Sequence, residues 1–224
     1  MNPAPPRRKR FRAKWIPVCA EKTSPHDDLA CGACSLLAIL LVAFLWGAAE
    51  ASYFFVVADV LLTFIAVACG LRASLWASVA AALGAACGGL ILWRIAGTDP
   101  AAAMTLLRSV PFVSERMIAR GLAGMAEANW PLAMLWGSVT GIPYKVYAVG
   151  AGHEDLSALL FFGATIPIRL VRFVVATSVV ALLDQKLRPR LRLRSRVMLL
   201  ATFWLVFYGE FWLRWSGGDF RFLQ

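Results

Sequence analysis

Five ionisable residues, Glu50, Asp59, Lys145, Arg169 and Arg172, stand inside long apolar stretches of the chain. On insertion scales each would cost roughly 2.5–3.5 kcal/mol at the centre of a membrane helix, and such residues persist where they face partners or water. Arg169 and Arg172 are three positions apart, so a helix would place them on one face. Two guanidiniums on one face suit a pair of phosphate oxygens better than a lysine ammonium does. Glu50 or Asp59, desolvated near the midplane, could exchange a proton across a useful pH range. A scaffold use is equally open, in which Arg169 or Arg172 pairs with Glu50 or Asp59 and locks two elements together. Lys145 is the weakest member of the set, because its flexible stem could snorkel to an interface. His153, beside Glu154 and Asp155, reads as an interfacial loop residue.

The elements that must position these groups are membrane helices. The chain has 224 residues, 60% of them apolar and 16% charged, against about 45–50% and 25% in soluble domains. Its apolar run from Cys31 to Gly70 is about twice the ~20 residues of one crossing. It must turn, and Glu50 and Asp59 bracket the place, so two halves too short to cross are expected as a re-entrant hairpin at about 31–70. A full crossing follows at 73–97, with Gly84 and Gly88 at GxxxG spacing for close helix approach. The segment 98–129, with Pro100, Pro111 and RMIARGLAGMAEA, reads as one amphipathic interfacial helix on the external side. At 130–152 the breakers Gly137, Gly141, Pro143, Gly150 and Gly152 predict a second re-entrant hairpin, broken at Gly141 and Pro143. Further crossings are expected at 159–183 and 197–215, with Trp212 and Trp215 in an interfacial belt.

Charge supplies the orientation. The formal net charge of +10 is concentrated in Arg7, Arg8, Lys9, Arg10, Arg12 and Lys14, and in Lys186, Arg188, Arg190, Arg192, Arg194 and Arg196. Both clusters abut hydrophobic stretches, as positive-inside signals do, and this reading displaces nucleic-acid binding. Regions 1–30 and 185–196 are therefore expected in the cytoplasm, flanking a membrane core at 31–184, with 216–224 as a short tail. Two full crossings then separate the clusters, and the two broken segments enter from opposite sides, the inverted-repeat logic of many transporters. The basic start resembles the first part of a signal peptide, but the apolar run after it is too long, and no cleavage is expected. Five cysteines imply no disulfide framework. Cys31 and Cys34, with His26 and Asp27 upstream, lack the second pair that a tetrahedral metal site needs.

EASYFFVVADVLL (Glu50 to Leu62), TGIPYKVYAVGAG (Thr140 to Gly152) and IRLVRF (Ile168 to Phe173) resemble the signatures of the DedA superfamily of membrane proteins, also called VTT or SNARE-associated, in its YqaA-like branch. The resemblance spans about residues 45–183. It implies an all-α integral protein of the bacterial inner membrane, a helical bundle with two opposed re-entrant hairpins. It also implies movement of phospholipid or undecaprenyl phosphate between leaflets and proton-linked homeostasis. By this resemblance Glu50 and Asp59 match the acids of the first hairpin and Arg169 and Arg172 the arginine pair after the second. Lys145 stands where relatives carry an arginine. Relatives have prolines between the two acids; here Phe55, Val57 and Ala58 stand in their place, so the first turn must be made by other means.

The expected function is transport or scrambling of a lipid phosphate, with membrane lipids and protons as partners, no nucleic acid, no cofactor and no metal. A homo-oligomer is compatible with the small-residue faces. Two other readings are a proton-linked exporter of small cations, in which the acids bind substrate, and a non-transporting assembly protein. An enzyme is not expected: Ser138 and His153 are not set in a GxSG-type element, and no phosphate-binding glycine loop occurs.

Overall fold

The computed structural model describes the backbone of residues 25–216 and the side chains from Leu36 onward, apart from positions 211 and 214–216. The basic cluster at 7–14, the tail at 217–224 and the side chains of His26, Asp27, Cys31, Cys34 and Trp215 lie outside this range. Among the described residues there are nine helices and no strand. They are α1 (Pro25–Ser52), α2 (Ala58–Cys69), α3 (Leu71–Thr98), α4 (Pro100–Ser109), α5 (Glu115–Ala126), α6 (Trp130–Thr140), α7 (Tyr144–His153), α8 (Ala158–Leu187) and α9 (Leu193–Ser216).

Helix α3 is the hub, packing against α1, α2, α7 and α8. Its contact with α1 is a backbone-to-backbone approach. A Cβ on Gly84 would collide with the Phe44 carbonyl, one on Gly88 with that of Ala48, and one on Gly47 with that of Ala81. Small residues let the two helices approach this closely. The GxxxG pair is thus used within the chain, on a face that a second copy cannot share. Apolar side chains from α3, α4, α5, α7 and α8 form one core, and a smaller one joins α1, α2 and α3 around Phe173.

Several boundaries differ from those expected. The first broken unit is unequal: α1 has 28 residues, of which Leu36–Ser52 is the described apolar part. Its partner α2 has only 12 residues. The single amphipathic helix expected over 98–129 is two helices. Pro111 disfavours a helical Val110, which takes φ −77° and ψ 125°. Each new helix start is then capped, Asp99 accepting from the Ala102 amide and Ser114 from the Met117 amide. Arg108 joins the pair through Glu115, 2.7 Å from Nε to Oε1, and this hydrogen bond holds the Glu115 carboxyl below its ordinary value. Helix α5 buries Met117, Ile118, Gly121 and Met125 and leaves Arg116 and Arg120 exposed.

The basic segment at 185–196 is a folded connection between α8 and α9 rather than a free run of charge. Asp184, only 3% exposed, accepts from Arg188 Nε at 2.8 Å and from Arg196. Among the described residues two helices, α3 and α8, are long and apolar enough to cross a membrane. Helix α9 carries Arg194 and Arg196 near its start and Glu210 further on. Large apolar side chains point outward, among them Leu159, Val139 and Leu205, each more than 70% exposed. An all-helical fold with two such helices and this exterior is consistent with a helical membrane protein.

Candidate functional site

Two helix breaks meet at the site, and they are built differently. The second, 141–143, is made from its own residues. Gly141 closes α6 in the left-handed region at φ 86°, where its amide and that of Ile142 both bond the Gly137 carbonyl. Only glycine adopts that backbone without a Cβ penalty. Pro143, at φ −62° and ψ 136°, then precedes the first residue of α7. The first break, 53–57, has neither residue type. Its Tyr53 and Phe54 amides bond back to the Ala49 carbonyl, and side chains hold the rest of its backbone: Trp46 Nε1 donates to the Val56 carbonyl at 3.2 Å, the Val57 amide donates to the Tyr208 hydroxyl at 3.0 Å, and Lys145 Nζ donates to the Phe54 carbonyl at 2.9 Å.

Lys145 therefore joins the two breaks. It is 4% exposed and does not snorkel outward. Its ammonium sits on the Phe54 carbonyl, two residues past the C-terminus of α1, near the end at which a helix dipole favours a cation, and Asp59 occupies the first turn of α2, where the dipole favours an anion.

Helix α8 brings the arginines to the same place. Arg169 pairs with Glu50, and Arg172 sends Nε and Nη2 to Asp59 Oδ2 at 3.0 and 2.6 Å. Glu50, Asp59 and Arg169 are all buried, whereas the side chain of Arg172 is 31% exposed. The Arg169 guanidinium lies between two rings, 5.1 Å from the centroid of Tyr144 and 4.8 Å from that of Phe173, an arrangement in which ring quadrupoles favour the cation. Tyr144 is fixed in turn by Thr165, with 3.0 Å between the hydroxyls. Asp59 Oδ1 and Arg169 Nε are buried without a hydrogen-bond partner among the described residues.

All five charged residues singled out in the sequence thus fall in one cluster. A cavity of about 210 Å³ opens beside it, lined by Glu50, Lys145, Arg169 and Arg172 and by the breaks themselves, including Gly141 and Pro143. Two acids against three bases leave the cluster with one surplus positive charge, and among the residues lining the cavity the ratio is one acid to three bases. The aromatic side of the cavity includes Phe55, Phe112 and Tyr208. Phe112 sits at φ 71°, a costly conformation for a bulky residue. Its ring lies 5.7 Å from Phe55 and 5.5 Å from Trp212. Trp46, Phe112, Phe173 and Tyr208 were not singled out as site residues, and nothing local in their sequence context distinguishes them from other apolar aromatics.

Other sequence candidates are elsewhere. His153 ends α7 and lines a separate cavity with Met104 and Val149. The Ser138 hydroxyl is engaged by the Met134 carbonyl at 3.1 Å. Cys69 and Cys87 are free thiols. Among the described residues no three His, Cys, Asp or Glu side chains are grouped to hold a metal ion. Compared with protein-family models, with curated proteins and with solved structures, the chain matches none.

Proposed function

We propose that the protein moves a lipid phosphate, a phospholipid or undecaprenyl phosphate, between membrane leaflets, as a DedA-like transporter or scramblase of the bacterial inner membrane. The observation that carries this reading is the excess of positive charge at the central cavity. The two carboxylates of the cluster are each engaged by an arginine, and Lys145, the remaining cation, is matched among the described residues by a backbone carbonyl alone. A phosphate would complete the charge balance. The N-terminus of α7, whose Tyr144 and Lys145 line the cavity, adds the positive end of a helix dipole, a common provision for anions. In this reading the two breaks are the tips of opposed re-entrant hairpins, and both basic clusters face the cytoplasm with the N-terminus.

Transfer then has a simple course. Arg172, the more exposed guanidinium, meets the phosphate first and exchanges Asp59 for it. Arg169, held between its two rings, receives the second oxygen, and protonation of Glu50 or Asp59 would free the arginines for that exchange. Cation export is the poorer account, because a cation would meet three basic residues and two carboxylates already paired.

The test is reconstitution in liposomes, following leaflet exchange of labelled phospholipid and polyprenyl phosphate by wild type, Glu50→Gln and Arg169→Ala. Exchange present in wild type and lost in both folded variants is expected. A folded wild type that exchanges neither lipid, with or without a proton gradient, would sink the proposal.

A further inference from the structure

A second cavity, of about 500 Å³, lies between α5 and α6. On its α5 wall stand Arg116 and Arg120, one helical turn apart and therefore on one face. Neither makes a hydrogen bond or ion pair among the described residues, whereas Arg108 nearby is matched by Glu115. The α6 wall carries Trp136 and Thr140. Trp136 is 70% exposed and continues an outward apolar stripe with Leu132 and Val139. The floor is Tyr147, whose ring and hydroxyl are seated so closely on Gly137 that a Cβ there would collide with them. Tyr147 is only 3% exposed as a residue, but its hydroxyl oxygen is not fully buried and has no hydrogen-bond partner among the described residues. Ile142 lines both this cavity and the central one.

From this juxtaposition we infer that the α5–α6 groove is a docking site for an acidic phospholipid, from which the headgroup passes Ile142 into the central cavity. The unmatched guanidiniums supply the charge for the phosphate, and the Tyr147 hydroxyl at the cavity floor supplies a donor. The outward stripe of Leu132, Trp136 and Val139 supplies the surface on which acyl chains lie. A free phosphate would use the first two features and leave the third uncovered, so the occupant is a lipid. The passage past Ile142 rests on the transport reading above; the docking does not.

Trp136 is the natural reporter. Proteoliposomes are prepared with phosphatidylglycerol or phosphatidylcholine brominated on the acyl chains, and the quenching of Trp136 is taken as the difference between wild type and Trp136→Phe. With two basic residues facing a charged headgroup, a preference for phosphatidylglycerol on the order of thirty-fold is expected. Arg116→Gln with Arg120→Gln, both at exposed positions, should abolish it, whereas Tyr147→Phe should lower the quenching by both lipids, because both carry the phosphate, and leave the preference in place. Equal quenching by the two lipids in wild type, or a preference that survives the double substitution, would overturn the docking site. Ile142→Ala should speed lipid exchange by a protein that exchanges lipid, and an unchanged rate there would overturn the passage. Selective quenching in a wild type that exchanges nothing would refute the transport reading and leave the docking site standing.

Discussion

The two helix breaks face each other across one hydrogen bond, from Lys145 to Phe54, yet they rest on different physics. Both breaks close the preceding helix with two amides on one carbonyl, Ala49 in the first and Gly137 in the second, but the α6–α7 break is otherwise local, made by a left-handed glycine and a proline of fixed φ. The α1–α2 break is borrowed, because Trp46, Lys145 and Tyr208 supply from a distance the partners that its exposed backbone groups need. A chain can thus interrupt a helix either by making continuation costly or by making interruption well satisfied. The second way couples the break to everything that holds it. If the protein moves a substrate, the borrowed break is the one whose shape can respond.

The largest effect should come from the ion pair where α1 ends. Replacing Glu50 with Ala leaves Arg169, 1% exposed, as a buried charge without its carboxylate, a loss of about 3–5 kcal/mol for pairs of this kind. Unfolding in mixed micelles with increasing dodecyl sulfate would measure it. Replacing both partners, as Glu50→Leu with Arg169→Met, should recover most of the loss, since no charge is then stranded. If the double variant is as unstable as the single one, the pair holds the break in a way that charge alone does not explain.

Lys145→Met comes next, at roughly 1.5–3 kcal/mol for the loss of a hydrogen bond from a charged donor to the Phe54 carbonyl. The comparison predicts where the damage falls. A cysteine at Ser52, close to the borrowed break, should react faster with a water-soluble maleimide in this variant, while one at Thr140, beside the local break, should not. Equal acceleration at both would mean that the two breaks form a single unit and that the contrast drawn between them is wrong.

The same contrast decides what could be read from the sequence. Gly141 and Pro143 announce their break because the cause lies in the residues themselves. Glu50, Asp59, Lys145, Arg169 and Arg172 announce a site because buried charge is expensive wherever the fold puts it. Their pairing, Arg169 with Glu50 and Arg172 with Asp59, depends on how α8 crosses the first break, and no spacing rule contains that. Trp46 and Tyr208 are 162 positions apart in a chain rich in aromatics, so their common use at one turn leaves no local trace. Asp184 escaped notice for a related reason: it stands among basic residues and looks like part of a solvated loop, whereas it is the buried anchor for Arg188 and Arg196. The split between α4 and α5 was within reach, because Pro111 marks it.

Gly141→Ala tests the local break alone. Among the described residues no atom beyond the adjoining backbone lies within 4 Å of the position a Cβ would take, so the effect is that of the left-handed backbone, roughly 1–2 kcal/mol. Dodecyl sulfate unfolding should show that loss with no change in maleimide reactivity at position 52. A much larger loss would mean that Gly141 supports the borrowed break as well.

The smallest effect is expected from Tyr208→Phe, and it separates the two kinds of break most cleanly. The substitution keeps the ring, which lies 6.5 Å from that of Phe55, and removes only the oxygen that accepts from the Val57 amide at 3.0 Å. A lost neutral hydrogen bond is worth roughly 0.5–1.5 kcal/mol. Hydrogen exchange at the Val57 amide should accelerate by about ten-fold, the equivalent of 1.4 kcal/mol at 25 °C, while the amides of Gly141 and Ile142 exchange as before. Because α9 reaches the rest of the bundle mainly through α2, the same hydroxyl also ties α9 to the cavity wall. Val57 has φ −63°, which proline would adopt readily. The observed residue nevertheless keeps the amide that Tyr208 uses. Val57→Pro removes that donor just as Tyr208→Phe removes its acceptor, so the two substitutions together should cost little more than the larger of them alone. Fully additive losses would show that Tyr208 steadies α9 by some route other than the break, and the borrowed turn would then rest on Trp46 and Lys145.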